Sequence, residues 1–224
     1  MAKNLTIKLL KEGAKEFCKK ESTYGNKDLF GVTDGKAVGT YIEHKFKKYL
    51  EVKYNFHNGS SAKGVDLPDQ GINTDIKVTS IRQPQSSCPF EDSKQKIFGL
   101  GYNLLVFVYD KVDNPGRRTA KLDFKSCVFL EKERTADYTT TFRLREMVKD
   151  GANKEDIIAY IKDRNIPADE ITLNAIANQI LTNTPKQGYL TISNALQWRL
   201  QYSRVVNLNV DIEGITKIVD KVTI

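Results

Sequence analysis

The chain has 224 residues, of which 40% are hydrophobic and 28% charged, and its formal net charge at pH 7 is +7. This composition is ordinary for a globular protein with a sizeable core, and no window approaches the about eighteen apolar residues of a membrane span. Three cysteines without a C-x-x-C pair and only two histidines argue against a disulfide framework, a Cys/His zinc site and catalysis by a histidine-activated serine or cysteine.

Charge and cysteine usage indicate the partner and the compartment. The first 60 residues hold twelve lysines against seven acidic residues, and such an excess favours a polyanionic partner, above all nucleic acid. The odd number of cysteines favours a reducing cytoplasm. The N-terminal stretch has neither the uninterrupted apolar core nor the small-residue cleavage site of a secretory signal, so we expect a cytoplasmic protein.

The first two predicted elements are amphipathic helices. Residues 4–21 carry apolar residues at helical spacing. A second helix is predicted to begin near Asp34 or Gly35, and it has an i, i+4 apolar stripe that should face the core. The stripe consists of Val38, Ile42, Phe46 and Leu50. Glu43 lies on the flank of the stripe, where it is also placed to form an ion pair with Lys47.

A sheet is predicted to follow the second helix. The apolar runs and turn signals predict three strands, a short helix and two longer strands, of which the first is apolar enough to be covered on both faces. In chain order they are 52–56, 64–68, 73–81, the helix within 89–101, 103–110 and 120–132. This order predicts an α/β (α+β) fold with a central mixed sheet flanked by helices.

From about residue 141 the pattern becomes mainly helical. Four helices and then one or two strands are predicted, in the segments 141–151, 153–164, 168–182, 191–203 and 204–224. We therefore divide the chain into a core of residues 1–140 and a mainly helical elaboration of residues 141–224 that packs on it. Residues 154–181 are faintly similar to a helix-turn-helix, although a packing cap is the alternative. The elaboration is expected to serve target recognition or dimerisation.

Charged residues between positions 64 and 81 form the candidate site. If residues 74–81 are a strand, Asp75 and Lys77 share one face and Ile76 takes the other. The preceding turn places Asp66 on an adjacent strand, and two neighbouring carboxylates repel unless a cation or proton lies between them. Such oxygen ligands suit Mg²⁺, and a nearby lysine can orient an attacking water and stabilise negative charge. The alternative is a solvated, charged strand surface.

Glu43 on a helix, followed along the chain by Asp66 and then by Asp75-Ile76-Lys77, resembles the pattern of the PD-(D/E)xK nuclease superfamily, and specifically that of its type II restriction endonucleases. The resemblance covers about residues 34–130. It implies a restriction-endonuclease-like fold, Mg²⁺-dependent hydrolysis of double-stranded DNA and a homodimer. It also implies that Asp66 and Asp75 bind the metal, that Lys77 is the catalytic lysine and that Glu43 is an accessory metal-binding acid. The third motif residue is Asp75 rather than the commoner glutamate, and the literal Pro-Asp pair makes Asp69 a competitor of Asp66.

Two segments are candidates for contacts to DNA. Arginine can pair with guanine and glutamine with adenine in the major groove, while serine can contact base edges or phosphates. The candidate residues are Arg82, Gln83, Gln85, Ser86, Arg117 and Arg118. A solvated loop or turn is the alternative interpretation of each segment.

The predicted function is that of a Mg²⁺-dependent, sequence-specific endonuclease of a restriction system. The alternatives are a DNA repair or junction nuclease of the same superfamily and a DNA-binding regulator without catalytic activity.

Overall fold

The computed structural model describes residues 3–59, 64–88, 92–193 and 198–222. Within these ranges no helix is long and apolar enough to cross a membrane. The start of the helix predicted within residues 89–101 and the middle of the helix predicted for residues 191–203 lie outside the described residues.

Side-chain caps define where the two N-terminal helices begin. Thr6 accepts a hydrogen bond from the backbone N–H of Leu9, and Asp34 accepts from the N–H groups of Lys36 and Ala37. The helices of the described ranges are α1 (Ile7–Glu21), α2 (Gly35–Glu51), α3 (Gln95–Phe98), α4 (Tyr138–Lys149), α5 (Lys154–Asp163), α6 (Glu170–Thr182) and α7 (Ser203–Val206), with a 3₁₀ turn at Lys132–Arg134. The apolar stripe predicted for α2 is fully buried.

The strands of the described ranges form three sheets. They are β1 (Lys3–Asn4), β2 (Gly25–Asn26), β3 (Tyr54–Asn55), β4 (Thr74–Ser80), β5 (Gln85–Cys88), β6 (Asn103–Asn114), β7 (Thr119–Leu130), β8 (Thr191–Ile192), β9 (Trp198–Gln201) and β10 (Ile215–Asp220). The main sheet has the order β10-β7-β6-β4, with β2 also paired to β7. Strand β4 runs parallel to β6, whereas the other pairs are antiparallel, so the predicted mixed sheet is confirmed.

Strand β4 is the terminal strand of the main sheet, and its side chains alternate between the two faces of that sheet. Ile76 and Val78 face the core that α1 and α2 cover. Asp75 and Lys77 lie opposite Leu104 and Val106 of β6, and paired residues of adjacent strands share a face. Because those two β6 residues belong to a separate core cluster, the charged residues of β4 lie on the face turned away from α2.

A small second sheet covers the face of the main sheet that carries Asp75. It has the antiparallel order β5-β9-β8. Its buried residues Cys88, Ile192 and Leu200 pack with the main-sheet residues of that face. Helices α4, α5 and α6 form a third core cluster together with α3, so the C-terminal part is mainly helical, as predicted.

Three element predictions were wrong. Residues 191–203 are not one helix, because Thr191–Ile192 and Trp198–Gln201 are strands that pair with each other, and Trp198–Gln201 also pairs with β5. Residues 64–68 form only an isolated bridge between Leu67 and Thr74, since the N–H of Ile76, which would continue the ladder, donates to the side chain of Asp66 instead. The strand predicted at residues 52–56 shortens to Tyr54–Asn55, which pairs with the equally short β1.

Candidate active site

Asp75 and Lys77 form a buried ion pair on β4. The Nζ atom of Lys77 lies 2.7 Å from Oδ2 of Asp75, and only 4% of Asp75 is exposed. Burial raises the pKa of Asp75 to about 7, although the charge of Lys77 acts in the opposite direction. Burial alone would lower the pKa of Lys77, but the carboxylate of Asp75 outweighs it and the pKa lies above its ordinary value. The two residues that the sequence placed on one face are therefore in contact.

Asp66 lies against the outer edge of the same strand. Its Oδ2 accepts a hydrogen bond from the backbone N–H of Ile76 at 2.8 Å, and its Oδ1 accepts one from Nζ of Lys47. Burial would raise the pKa of Asp66, but hydrogen bonds from Asp75, Lys47 and the Ile76 N–H outweigh it and hold the pKa below its usual value. The structure thus brings Asp66 and Asp75 together, with one carboxyl favouring the ionised form and the other favouring the protonated form.

Lys47 is a member of this group that the sequence did not single out. Its Nζ donates to Oε1 of Glu43 at 3.0 Å and also contacts Asp66, so one ammonium joins the two acids. The i, i+4 spacing predicts the contact with Glu43, and that prediction is confirmed. The contact with Asp66 has no local signal, because it depends on how α2 packs against β4.

Asp69 belongs to a different surface. Its carboxylate accepts hydrogen bonds from the backbone N–H of His57 at 3.1 Å and pairs with His57 Nδ1 at 2.6 Å. These contacts hold the pKa of Asp69 below its usual value. The residue lines a separate cleft with Asn4, Phe56 and Ile72. The geometry therefore favours Asp66 over Asp69 as the acid that accompanies Asp75.

The carboxylates of Asp66, Asp75 and Glu43 can be compared with the ligands that a divalent cation requires. Among the residues that the structure describes, no three His, Cys, Asp or Glu side chains form a ready metal cluster. Mg²⁺, however, commonly binds through one or two carboxylates and completes its shell with water and substrate phosphate. The buried Oδ2 of Asp75 accepts no well-aligned hydrogen bond from a described residue. Asp66 and Asp75 therefore fit such an ion, whereas Glu43 reaches Asp66 only through Lys47.

A cleft of about 700 Å³ opens beside these residues. Helix α2 forms one wall, with Gly35, Gly39, Thr40 and Glu43, and β4 forms the floor from Ile76 to Ser80. The opposite wall contains Gln83, Gln85 and Ser86, three of the predicted DNA contacts, together with Ser87 and Arg199. The sequence missed Arg199 because its segment was predicted to be helical. Arg82 is exposed next to this wall.

Arg117 and Arg118 lie far from Lys77. They belong to the turn between β6 and β7, and Lys77 is paired with Val106, eight residues before the end of β6 at Asn114. At about 3.3 Å per residue this places the turn roughly 25 Å from Lys77. The guanidinium of Arg118 lies 5.7 Å from the ring centroid of Phe30. The structure therefore does not bring these two arginines to the carboxylate pair.

The chain matches a known protein family along most of its length. A family model described as "Type II restriction enzyme NspV" matches residues 4–217. The chain is also 55% identical over 202 residues to the type II restriction enzyme NspV of Nostoc sp. (strain ATCC 29411 / PCC 7524). The alignment covers 90% of this chain and 91% of that protein. No solved structure matches the chain.

Proposed function

The chain belongs to the NspV family of type II restriction enzymes, and from this membership we propose that it hydrolyses double-stranded DNA with Mg²⁺ at the site of Asp66, Asp75 and Lys77. As a member of this family it is a site-specific deoxyribonuclease. The observation that carries the proposed site is the contact of two carboxyl groups and an ammonium at the edge of β4, beside the cleft. Family membership gives no support to a repair nuclease, a junction nuclease or a non-catalytic regulator.

We propose that three acidic residues of the site bind the metal. Asp66 and Asp75 would hold Mg²⁺ through carboxylate oxygens, and Glu43 is proposed as an accessory ligand that acts directly or through water. When bound, Mg²⁺ supplies Lewis-acid polarisation of a phosphoryl oxygen and a water of lowered pKa. The backbone N–H of Ile76 and the ammonium of Lys47 each hold one oxygen of Asp66, so they fix the orientation of this carboxylate.

Lys77 is proposed as the catalytic lysine. Its ammonium lies within hydrogen-bonding distance of Asp75 and belongs to the lining of the cleft. From this position it can orient the attacking water and stabilise the negative charge that develops on the phosphate. Its largely buried surroundings strengthen that interaction, because a charge acts more strongly where water is excluded.

The proposed DNA contacts divide into two groups. Arg82, Gln83 and Gln85 lie in or beside the cleft wall and would contact the DNA near the scissile phosphate, whereas Ser86 lines the wall with its hydroxyl 2.5 Å from that of the buried Tyr202. Arg117 and Arg118 would contact flanking phosphates, since they lie on a distant turn of the main sheet.

A metal-dependent digest tests the proposed function. Long duplex DNA incubated with purified protein should give discrete bands in Mg²⁺ or Mn²⁺ and no cleavage in EDTA. Cleavage in EDTA would contradict the metal requirement, and the absence of cleavage in any DNA would contradict the proposal as a whole. A smear would instead support a nuclease without sequence specificity.

We propose a homodimer on DNA. One set of Asp66, Asp75 and Lys77 hydrolyses one phosphodiester at a time, so two copies are the simplest way to cut both strands. Two-fold symmetry matches a palindromic target, and residues 141–224 or α1 are the proposed contact surfaces. Light scattering should find two chains per cognate duplex, whereas one chain per duplex with mainly single-strand nicks would contradict the dimer.

The proposal includes a cytoplasmic location, which the free cysteines favour and cell fractionation tests.

A further inference from the structure

The antiparallel pair of strands β5 and β9, which we call the β5–β9 ribbon, has two chemically different faces. The strands are antiparallel with Gln85 opposite Gln201 and Ser87 opposite Arg199. Directly opposed residues of an antiparallel pair project from the same face. One face of the ribbon therefore carries two glutamines, a serine and an arginine, and no acidic residue.

The other face anchors the ribbon to the protein. Leu200 and Cys88 are buried in the core cluster beneath the second sheet. The hydroxyl of Ser86 lies 2.5 Å from that of the buried Tyr202. The backbone N–H of Gln85 donates to the hydroxyl of Thr79 at 3.1 Å. Because Thr79 lies two residues after Lys77 on β4, this hydrogen bond fixes the position of the ribbon relative to Lys77.

The side chains of the polar face are available for a ligand. Ser87 and Arg199 are exposed, and Gln85 and Gln201 are half-buried. Over residues 3–59, 64–88, 92–193 and 198–222, the side chains of these four residues make no hydrogen bond or ion pair. Gln85, Ser87 and Arg199 line the same cleft as Lys77. A duplex whose scissile phosphate reaches Lys77 would thus lie against this face.

The chemistry of the face matches base edges better than it matches phosphates alone. The major groove of DNA is about 12 Å wide and admits a two-stranded ribbon. An arginine fork pairs with O6 and N7 of guanine, and a glutamine amide pairs with N6 and N7 of adenine. We infer that the β5–β9 ribbon enters the major groove, where Arg199 contacts a guanine and Gln85 and Gln201 contact adenines. This inference rests on the proposed function, because it requires DNA bound in the cleft.

Arg199→Ala and Arg199→Lys test the guanine contact. The probes are a duplex containing the site mapped from the wild-type digest and a shuffled duplex of equal length, with binding measured in Ca²⁺. Arg199→Ala should lose about 10- to 100-fold in affinity for the site and little for the shuffled duplex. Arg199→Lys should lose discrimination as well, because lysine keeps the charge but lacks the bidentate fork. Lys121→Ala, which removes an exposed cation of β7 outside the cleft, should change neither affinity.

Base analogues complete the test. Replacing guanines of the mapped site with 7-deazaguanine removes the N7 acceptor, which should weaken the wild type but have no further effect on Arg199→Ala. Equal losses of Arg199→Ala on both duplexes, with a salt slope reduced by about one, would overturn the guanine contact in favour of a phosphate contact. A mapped site without a G·C pair would also overturn it. If the wild type cuts no DNA, the proposed function fails instead.

Discussion

Replacing Asp75 by asparagine is expected to slow DNA cleavage by about 100- to 1,000-fold or more, while binding of DNA without metal persists. Asparagine keeps the size of the side chain but cannot offer an anionic oxygen to a cation. Asparagine also removes the partner of the largely buried ammonium of Lys77, so we expect a lower thermal stability as well, and thermal melting shows whether the variant remains folded. Single-turnover cleavage rates and fluorescence anisotropy of a labelled duplex measure the two effects separately.

The same experiment has a control and a companion variant. Asp220→Asn alters an acid of β10, at the opposite edge of the main sheet, and should leave the cleavage rate unchanged. Lys77→Met keeps the apolar stem and removes the ammonium, and we expect it to lower the rate by about 100- to 1,000-fold. Full activity of Asp75→Asn would remove this residue from the mechanism.

The second prediction is that substitution of Asp66 slows DNA cleavage far more than the same substitution of Asp69. Asp66→Asn should reduce cleavage by about 100-fold or more, because the carboxylate in contact with Asp75 loses its charge. The amide oxygen can still accept the hydrogen bond from the N–H of Ile76, so the edge of β4 should stay intact. Asp69→Asn should remain within about threefold of the wild type, since its partners are the backbone and ring of His57.

These two variants form a matched pair, because both exchange a carboxylate for an amide and the two positions are three residues apart in the chain. Thermal melting of each protein shows whether a loss of activity reflects unfolding. Near-normal cleavage by Asp66→Asn together with inactive Asp69→Asn would reverse the assignment and place the metal site in the cleft that Asp69 lines.

The sequence predicted the contacts that local geometry determines. The alternation of β4 places Asp75 and Lys77 on one face, and helical spacing pairs Glu43 with Lys47, irrespective of the rest of the fold. The contact between Lys47 and Asp66 could not be predicted, because nineteen positions separate the two residues along the chain. It exists only because α2 and β4 pack around a shared core.

The fold shows the same division between local and distant interactions. The buried stripe of α2 has a strong periodic signal and β6 and β7 are long apolar segments, and all three were predicted, although β6 runs four residues beyond its predicted end at residue 110. Strands β8 and β9 have two and four residues, and the pairing of β9 with β5 joins segments about a hundred positions apart. Strand formation depends on such partners more than on intrinsic preference, which is why Arg199 was not assigned to the cleft.

The position of the bound metal shows whether Asp66 and Asp75 are the metal ligands. Crystals of the protein with its cognate duplex and Mn²⁺ allow the ion to be located by its anomalous scattering. We expect a peak in direct contact with carboxylate oxygens of Asp66 and Asp75, next to the phosphate that is cleaved and beside Lys77. A peak at Asp69, or at any site that touches neither Asp66 nor Asp75 in crystals that cleave their DNA, would contradict this expectation.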